Sequence, residues 1–113
     1  MRTAINFSKK YSKLDRSNYH TVRWNDFDVS IGKSYEIYLV ADNMFHNKYG
    51  KGKMRCIKLE LKKIKELSDE FILEDADCKR EQFMKMMEGW YSKKPNWKGE
   101  DSEIIVIFLE KVE

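Results

Sequence analysis

Hydrophobic and polar positions recur along this chain in several rhythms, and each rhythm predicts an element. Residues 4–7, AINF, form a short apolar start that reads as a first strand. In residues 9–16, Tyr11 and Leu14 stand three apart among polar neighbours, the spacing of a short helix, and Ser17-Asn18 end it with turn chemistry. Residues 19–24, YHTVRW, read as a second strand. Residues 25–32 form a loop with Val29 and Ile31 turned inward, and Gly32-Lys33 turns the chain into SYEIYLVA, a strand rich in β-branched and aromatic residues. Residues 42–53 carry Asn43, Asn47, Gly50 and Gly52 and read as a long polar hairpin connection, with His46 and Tyr49 as contact residues.

From Met54 to Leu61 the pattern alternates. It places Ile57, Leu59 and Leu61 on a buried face and Lys58, Glu60 and Lys62 on a wet one. Ile64 and Leu67 then lead the chain out of the strand. Asp77-Cys78 opens the strongest helical pattern, in which Phe83, Met87, Trp90 and Tyr91 share one face. Cys78 with Glu81 three later resembles a capping box with a thiol in place of the hydroxyl, and Lys93-Lys94-Pro95 stops the helix. Ile104 to Leu109 is an unbroken apolar run, which predicts a strand covered on both faces and central in its sheet. The class is α+β: a small, strongly bent sheet or barrel with two helices.

Length and charge narrow this picture. At 113 residues the chain holds one domain, residues 1–113, with one modest core. A composition 42% hydrophobic and 36% charged excludes a disordered or fibrous chain. No apolar run approaches the roughly 20 residues that a membrane helix needs, so no membrane partner is expected. MRTAINFSKK lacks the apolar stretch of a signal peptide, and a cytoplasmic location is the expectation. Cys56 and Cys78 stand 22 residues apart with no CxxC or histidine pair beside them. They read as free structural thiols, and neither a metal site nor a cofactor motif is recognised.

The net charge of +3 is mild but unevenly spread. Residues 48–65 hold eight Lys or Arg against the single acid Glu60, whereas residues 66–77 hold six acids and no base. Lys48, Lys51, Lys53 and Arg55 form a stripe suited to tracking phosphates, or simply a solvated hairpin. The acidic stretch would suit a protein partner.

The second strand raises the chemical question. Tyr19, Thr21 and Arg23 share one of its faces. Together they offer an aromatic platform for a base, a hydroxyl, and a guanidinium that can hold a phosphate in a fork. The plainer reading is a wet edge with Arg23 paired to Asp26, Asp28 or Asp75. Asp75 could orient a base edge by accepting a hydrogen bond, or favour the positive start of the helix that follows. Trp90 and Tyr91 are expected to pack the helix on the sheet. Trp97, in a polar loop, either covers one end of the sheet or presents a stacking surface.

Thr21 and Arg23, Gly32 ahead of its strand, DADCKREQF and EIIVIFLEKV occur in an order and spacing that resemble the ASCH domain of the PUA-like superfamily, over nearly the whole chain. The resemblance implies a small PUA-like β-barrel of about five or six strands with two flanking helices. It also implies a cleft for RNA or a modified nucleoside or nucleotide. Some small members are amidohydrolases acting on acetylcytidine, with a Lys-Thr-x-Thr-x-Arg pattern and an acid ahead of the main helix. Carried over, the second threonine falls on Thr21, the arginine on Arg23 and the acid on Asp75, with Glu74 adjacent. Thr21 and Asp75 would be the catalytic pair.

The pattern's lysine falls on Asn18, which cannot move a proton as an amine can. His20 could, but on a strand it points away from Thr21. Lys13 is another candidate, carried on the predicted helix of residues 9–16. The leading reading is thus an RNA- or nucleotide-binding domain using Tyr19, Thr21, Arg23, Asp75 and the basic residues 48, 51, 53 and 55. The alternatives are the amidohydrolase and a protein-binding accessory domain.

Overall fold

A computed structural model describes residues 2–9, 11–40 and 48–112. His46 lies outside the described residues, as do the side chains of Lys48 and Tyr49.

Five strands make one mixed sheet in the order β1-β3-β4-β5-β2. They are β1 (Ala4–Phe7), β2 (Asn18–Trp24), β3 (Ser34–Val40), β4 (Lys48–Lys63) and β5 (Glu103–Lys111). β1 runs parallel to β3, and every other pairing is antiparallel. Two helices, α1 (Asp69–Ala76) and α2 (Arg80–Tyr91), follow β4. No helix among the described residues is long and apolar enough to cross a membrane.

The apolar run of β5 lies between β4 and β2, as its composition predicts, and both of its faces are covered. The register sets Thr21, Ile107 and Leu59 side by side on one face, with Tyr19, Leu109 and Cys56 beside them. On the other face His20 lies across from Phe108, and Trp24 from Ile104. The helices pack on that second face: Phe71 of α1 stacks on the His20 ring at 3.9 Å, and Tyr91 of α2 stacks on Trp24 at 5.2 Å. Trp97 closes over Trp24 at 6.1 Å, which settles its role as cover for this end of the sheet.

The first face is concave. Ile5, Phe7, Tyr35 and Ile37 from β1 and β3 bury against it. The sheet bends until its two edges meet, yet no backbone ladder joins β1 to β2, so it is an open sheet and not a closed barrel. Side chains cross the seam instead. Phe7 meets Tyr19 edge-on at 6.2 Å, and Arg23 donates through Nη2 to the Asn6 carbonyl at 2.9 Å.

Several expectations are corrected. Among the described residues of 9–16 the helix is a 3₁₀ turn, Ser12–Asp15, because two apolar positions cannot repay the nucleation of a longer helix. β4 begins at Lys48, inside the expected loop, and absorbs an irregularity near Gly52, whose φ of +91° a side chain would resist. A second bulge falls between Cys56 and Lys58. Met54 and Cys56 point inward before it and Leu59 after it, leaving Ile57 as the extra residue, 45% exposed. Leu61 regains the inner face but lies beyond its cover, 60% exposed. Ile31 also faces out.

The acidic stretch is itself a helix. Ser68 Oγ accepts from the Phe71 amide at 3.1 Å to cap α1, Asp69 and Glu70 suit its positive end, and Ile72 and Ala76 bury. Asp77 ends it in the left-handed region, and the expected thiol cap is absent: Lys79, with no side-chain capping bond, stands at the start of α2.

Tyr11 and Tyr19 carry the core's main alkaline liability. Burial pushes both phenols up to about 12, from an ordinary value near 10. Below pH 10 both states keep the protons. Between 10 and 12 only the unfolded chain releases them, so stability falls as pH rises, by roughly 2–3 kcal/mol per tyrosine. The Tyr19 hydroxyl is buried without a hydrogen-bond partner. Tyr19→Phe is therefore expected to leave stability unchanged or raise it by up to about 1 kcal/mol at pH 8, and to flatten the loss at pH 11. Urea unfolding at both pH values checks this.

Candidate functional site

The seam between β1 and β2 opens into a cavity of about 420 Å³, with Phe83, Met87 and Trp90 of α2 along one side. Lys13, Thr21, Arg23 and Asp75 all line it. Three segments, the 3₁₀ turn, β2 and α1, thus supply one polar wall, and each is fixed locally.

Lys13 is only 2% exposed. Its Nζ donates to Asp75 Oδ1 at 3.0 Å and to the His20 carbonyl at 2.8 Å. The turn that carries it is clamped by Asp77, whose carboxylate accepts from the Ser12 amide at 2.7 Å and from Ser12 Oγ at 2.6 Å. Those two bonds hold the Asp77 carboxyl below its usual range. The end of α1 therefore grips the turn twice, through Asp75 and through Asp77. Burial pulls the Lys13 amine below its ordinary value, and the Asp75 charge and hydrogen bond oppose that shift.

Asp75, 5% exposed, sits in the last turn of α1 and is committed to Lys13, so it does not serve the start of α2. The same Oδ1 lies 3.0 Å from His20 Nδ1, while His20 Nε2 is 3.7 Å from Glu74. His20 thus buttresses Asp75 from the helix-covered face of β2, away from Thr21 as the strand period requires. Asn18 is exposed at the far end of β2 and takes no part in the wall.

Thr21 is 3% exposed, and its Oγ1 accepts from Arg23 Nε at 3.3 Å. Arg23 is half-buried. It pairs with none of the acids expected for it: no carboxylate among the described residues lies within ion-pairing distance. Its guanidinium packs instead over the rings of Phe7 at 4.8 Å and Phe27 at 5.2 Å. Burial draws it below its ordinary value, although a guanidinium stays charged.

Tyr19 is placed differently from Thr21 and Arg23. Its ring is packed into the core against Phe7, outside the cavity lining. The basic residues of β4 are also elsewhere. Lys51 lies 3.9 Å from Asp15, Lys53 3.6 Å from Glu36, and Arg55 3.3 Å from Glu110, and none of the three lines the cavity.

The lining that the sequence did not mark for a site includes Asn6, Tyr11 and Met86. Nothing local marks these residues, because the seam that gathers them is a tertiary feature. Trp90, assigned to packing, is half-exposed at the cavity edge. Among the described residues no cluster of His, Cys, Asp and Glu could hold a metal, and Cys56 and Cys78 are free.

Comparison with known proteins returns no matching family model, no matching curated protein and no matching solved structure.

The Lys13–Asp75 pair has a measurable signature. Removing one partner strands a buried charge, whereas removing both leaves an apolar or neutral site. Asp75→Asn or Lys13→Met alone is expected to cost about 3–5 kcal/mol, and the double variant Lys13→Met/Asp75→Asn distinctly less than the sum. Urea denaturation of the three variants reads the coupling.

Proposed function

We propose that this chain is a PUA-like domain of the ASCH type whose seam cavity binds a single nucleobase, presented by a nucleoside, a nucleotide or an RNA end. The observation that carries the reading is the convergence of Lys13, Thr21, Arg23 and Asp75 with aromatic rings around one partly open cavity. About 420 Å³ falls at the small end of ligand pockets, suited to one base with its sugar and not to a stretch of chain. Tyr11 and Trp90 supply flat surfaces, and Asn6 Oδ1, buried without a partner, offers an acceptor beside the wall for an exocyclic amine.

The order of elements and the curled sheet support the barrel-like family resemblance. The acid-paired lysines and arginine of β4 favour recognition of a base over tracking of a phosphate backbone.

A specific observation also favours the hydrolase reading. The pattern lacks its lysine at position 18, but Lys13 offers an amine on the same wall as Thr21 and Asp75. An attacking threonine must give up its proton. Because Arg23 donates to Thr21 Oγ1, the hydroxyl proton is left free, and Lys13, held as an ion pair by Asp75, is the amine on that wall that would have to pass its own proton to the carboxylate before accepting it.

Titration of the intrinsic tryptophan fluorescence with cytidine, acetylcytidine and a short single-stranded RNA tests both readings. Saturable quenching by the nucleosides is expected, weakened on the order of tenfold in Thr21→Ala. Acetate release from acetylcytidine, abolished in Thr21→Ala, would establish hydrolysis. Nucleosides and RNA that all leave the signal unchanged would sink the base-binding reading and favour a protein partner.

A further inference from the structure

Positive charge in the cavity is not balanced. Lys13 is neutralised by Asp75, but among the described residues Arg23 has no carboxylate within ion-pairing distance, and hydrogen bonds to them engage its Nε and one Nη2 N–H. The guanidinium carries five N–H groups, so three remain without a protein acceptor. A second guanidinium stands behind it: Arg2 lies 3.8 Å from the centre of the Phe27 ring that Arg23 also covers. Among the described residues Arg2 has a long 3.5 Å bond to the Ala4 carbonyl and no ion pair, and its Nε is buried without a partner. Two guanidinium groups around one phenyl ring therefore lack an ion-pair partner among the described residues.

Holding the seam does not explain this. The bonds that Arg23 makes across it and along β2 go to neutral acceptors, which a neutral amide could serve without the cost of burying a charge. Unsatisfied donors on a half-buried cation are what a bidentate oxyanion takes up, and the low-dielectric surroundings strengthen that bond.

We propose that the Arg23 end of the cavity is an oxyanion subsite, so that the ligand carries a phosphate or carboxylate group beside its ring. The inference rests on the base-binding reading and deepens it. The preferred occupant is then an anionic nucleotide or ring acid, not a neutral nucleoside. The Lys13–Asp75 pair would meet the ring, while Arg23 would receive the charge.

Isothermal titration with two matched pairs tests it: cytidine against cytidine monophosphate, and uracil against its carboxylate, orotate. The charged member of at least one pair should bind about tenfold or more tightly, as expected for a charge-assisted fork. The pair that shows the gain identifies phosphate or carboxylate as the source. Arg23→Gln should erase the gain, so that the charged and neutral members of each pair bind alike.

In the wild-type protein, inorganic phosphate should compete with the charged member and not with the neutral one, a readout that does not depend on the variant folding. Equal affinities within both pairs, or no competition by phosphate against a bound phosphate ester, would overturn the subsite while the base-binding reading stands. No binding by any of the four would overturn both.

Discussion

The buried ion pair between Lys13 and Asp75 is the constraint on which the rest of the site depends. Neither charge could be taken from water alone at tolerable cost, so each requires the other in a defined place. Meeting that requirement fixes three elements at once. The 3₁₀ turn must lie against β2, where Lys13 also reaches the His20 carbonyl. The end of α1 must approach the same strand, and His20 must stand behind the shared carboxylate oxygen. Asp77 adds a second grip on the turn, through Ser12. The pair is a device for assembling one wall of a cavity from distant segments, and its chemical character follows from the same burial that makes it necessary.

The seam gives that wall its setting. A sheet of five strands with a long, twice-bulged β4 bends far enough to bring its edges together, but leaves them unpaired. Unpaired edges invite closure by another strand. Here they are spanned by Arg23, Phe7 and Tyr19, and α2 covers the opening. An open seam covered by a helix is a cavity lined by polar and charged side chains. Inside it stand one neutral pair, Lys13 with Asp75, and one guanidinium, Arg23, with no ion-pair partner among the described residues.

Much of the scaffold was legible because it rests on local pattern. The run Ile104–Leu109 declared a strand covered on both faces, and the placement of β5 between β4 and β2 answers it. Phe83 and Met87 marked the buried face of α2. The period of β4 misled because alternation presumes a constant register, and the bulge at Ile57 changed the face midway. α1 was missed because six acids conceal a short buried stripe of Ile72 and Ala76, and its stability comes from Ser68 and from packing instead of propensity.

At the site the same division holds. Thr21, Arg23 and Asp75 could be named from the strand period and from their order along the chain. Nothing in YSKLD separates Lys13 from a solvated lysine, since its environment is made by residues 20 and 75. Tyr19 shares the strand face of Thr21 but is packed into the core, because period assigns a face and not a neighbour. The sequence by itself determined which residues could turn inward and which strand would be central, because those follow from hydrophobicity and spacing. Only the tertiary structure decided which inward charges would meet, because a buried cation finds its counter-ion through the folding of segments that are strangers in sequence.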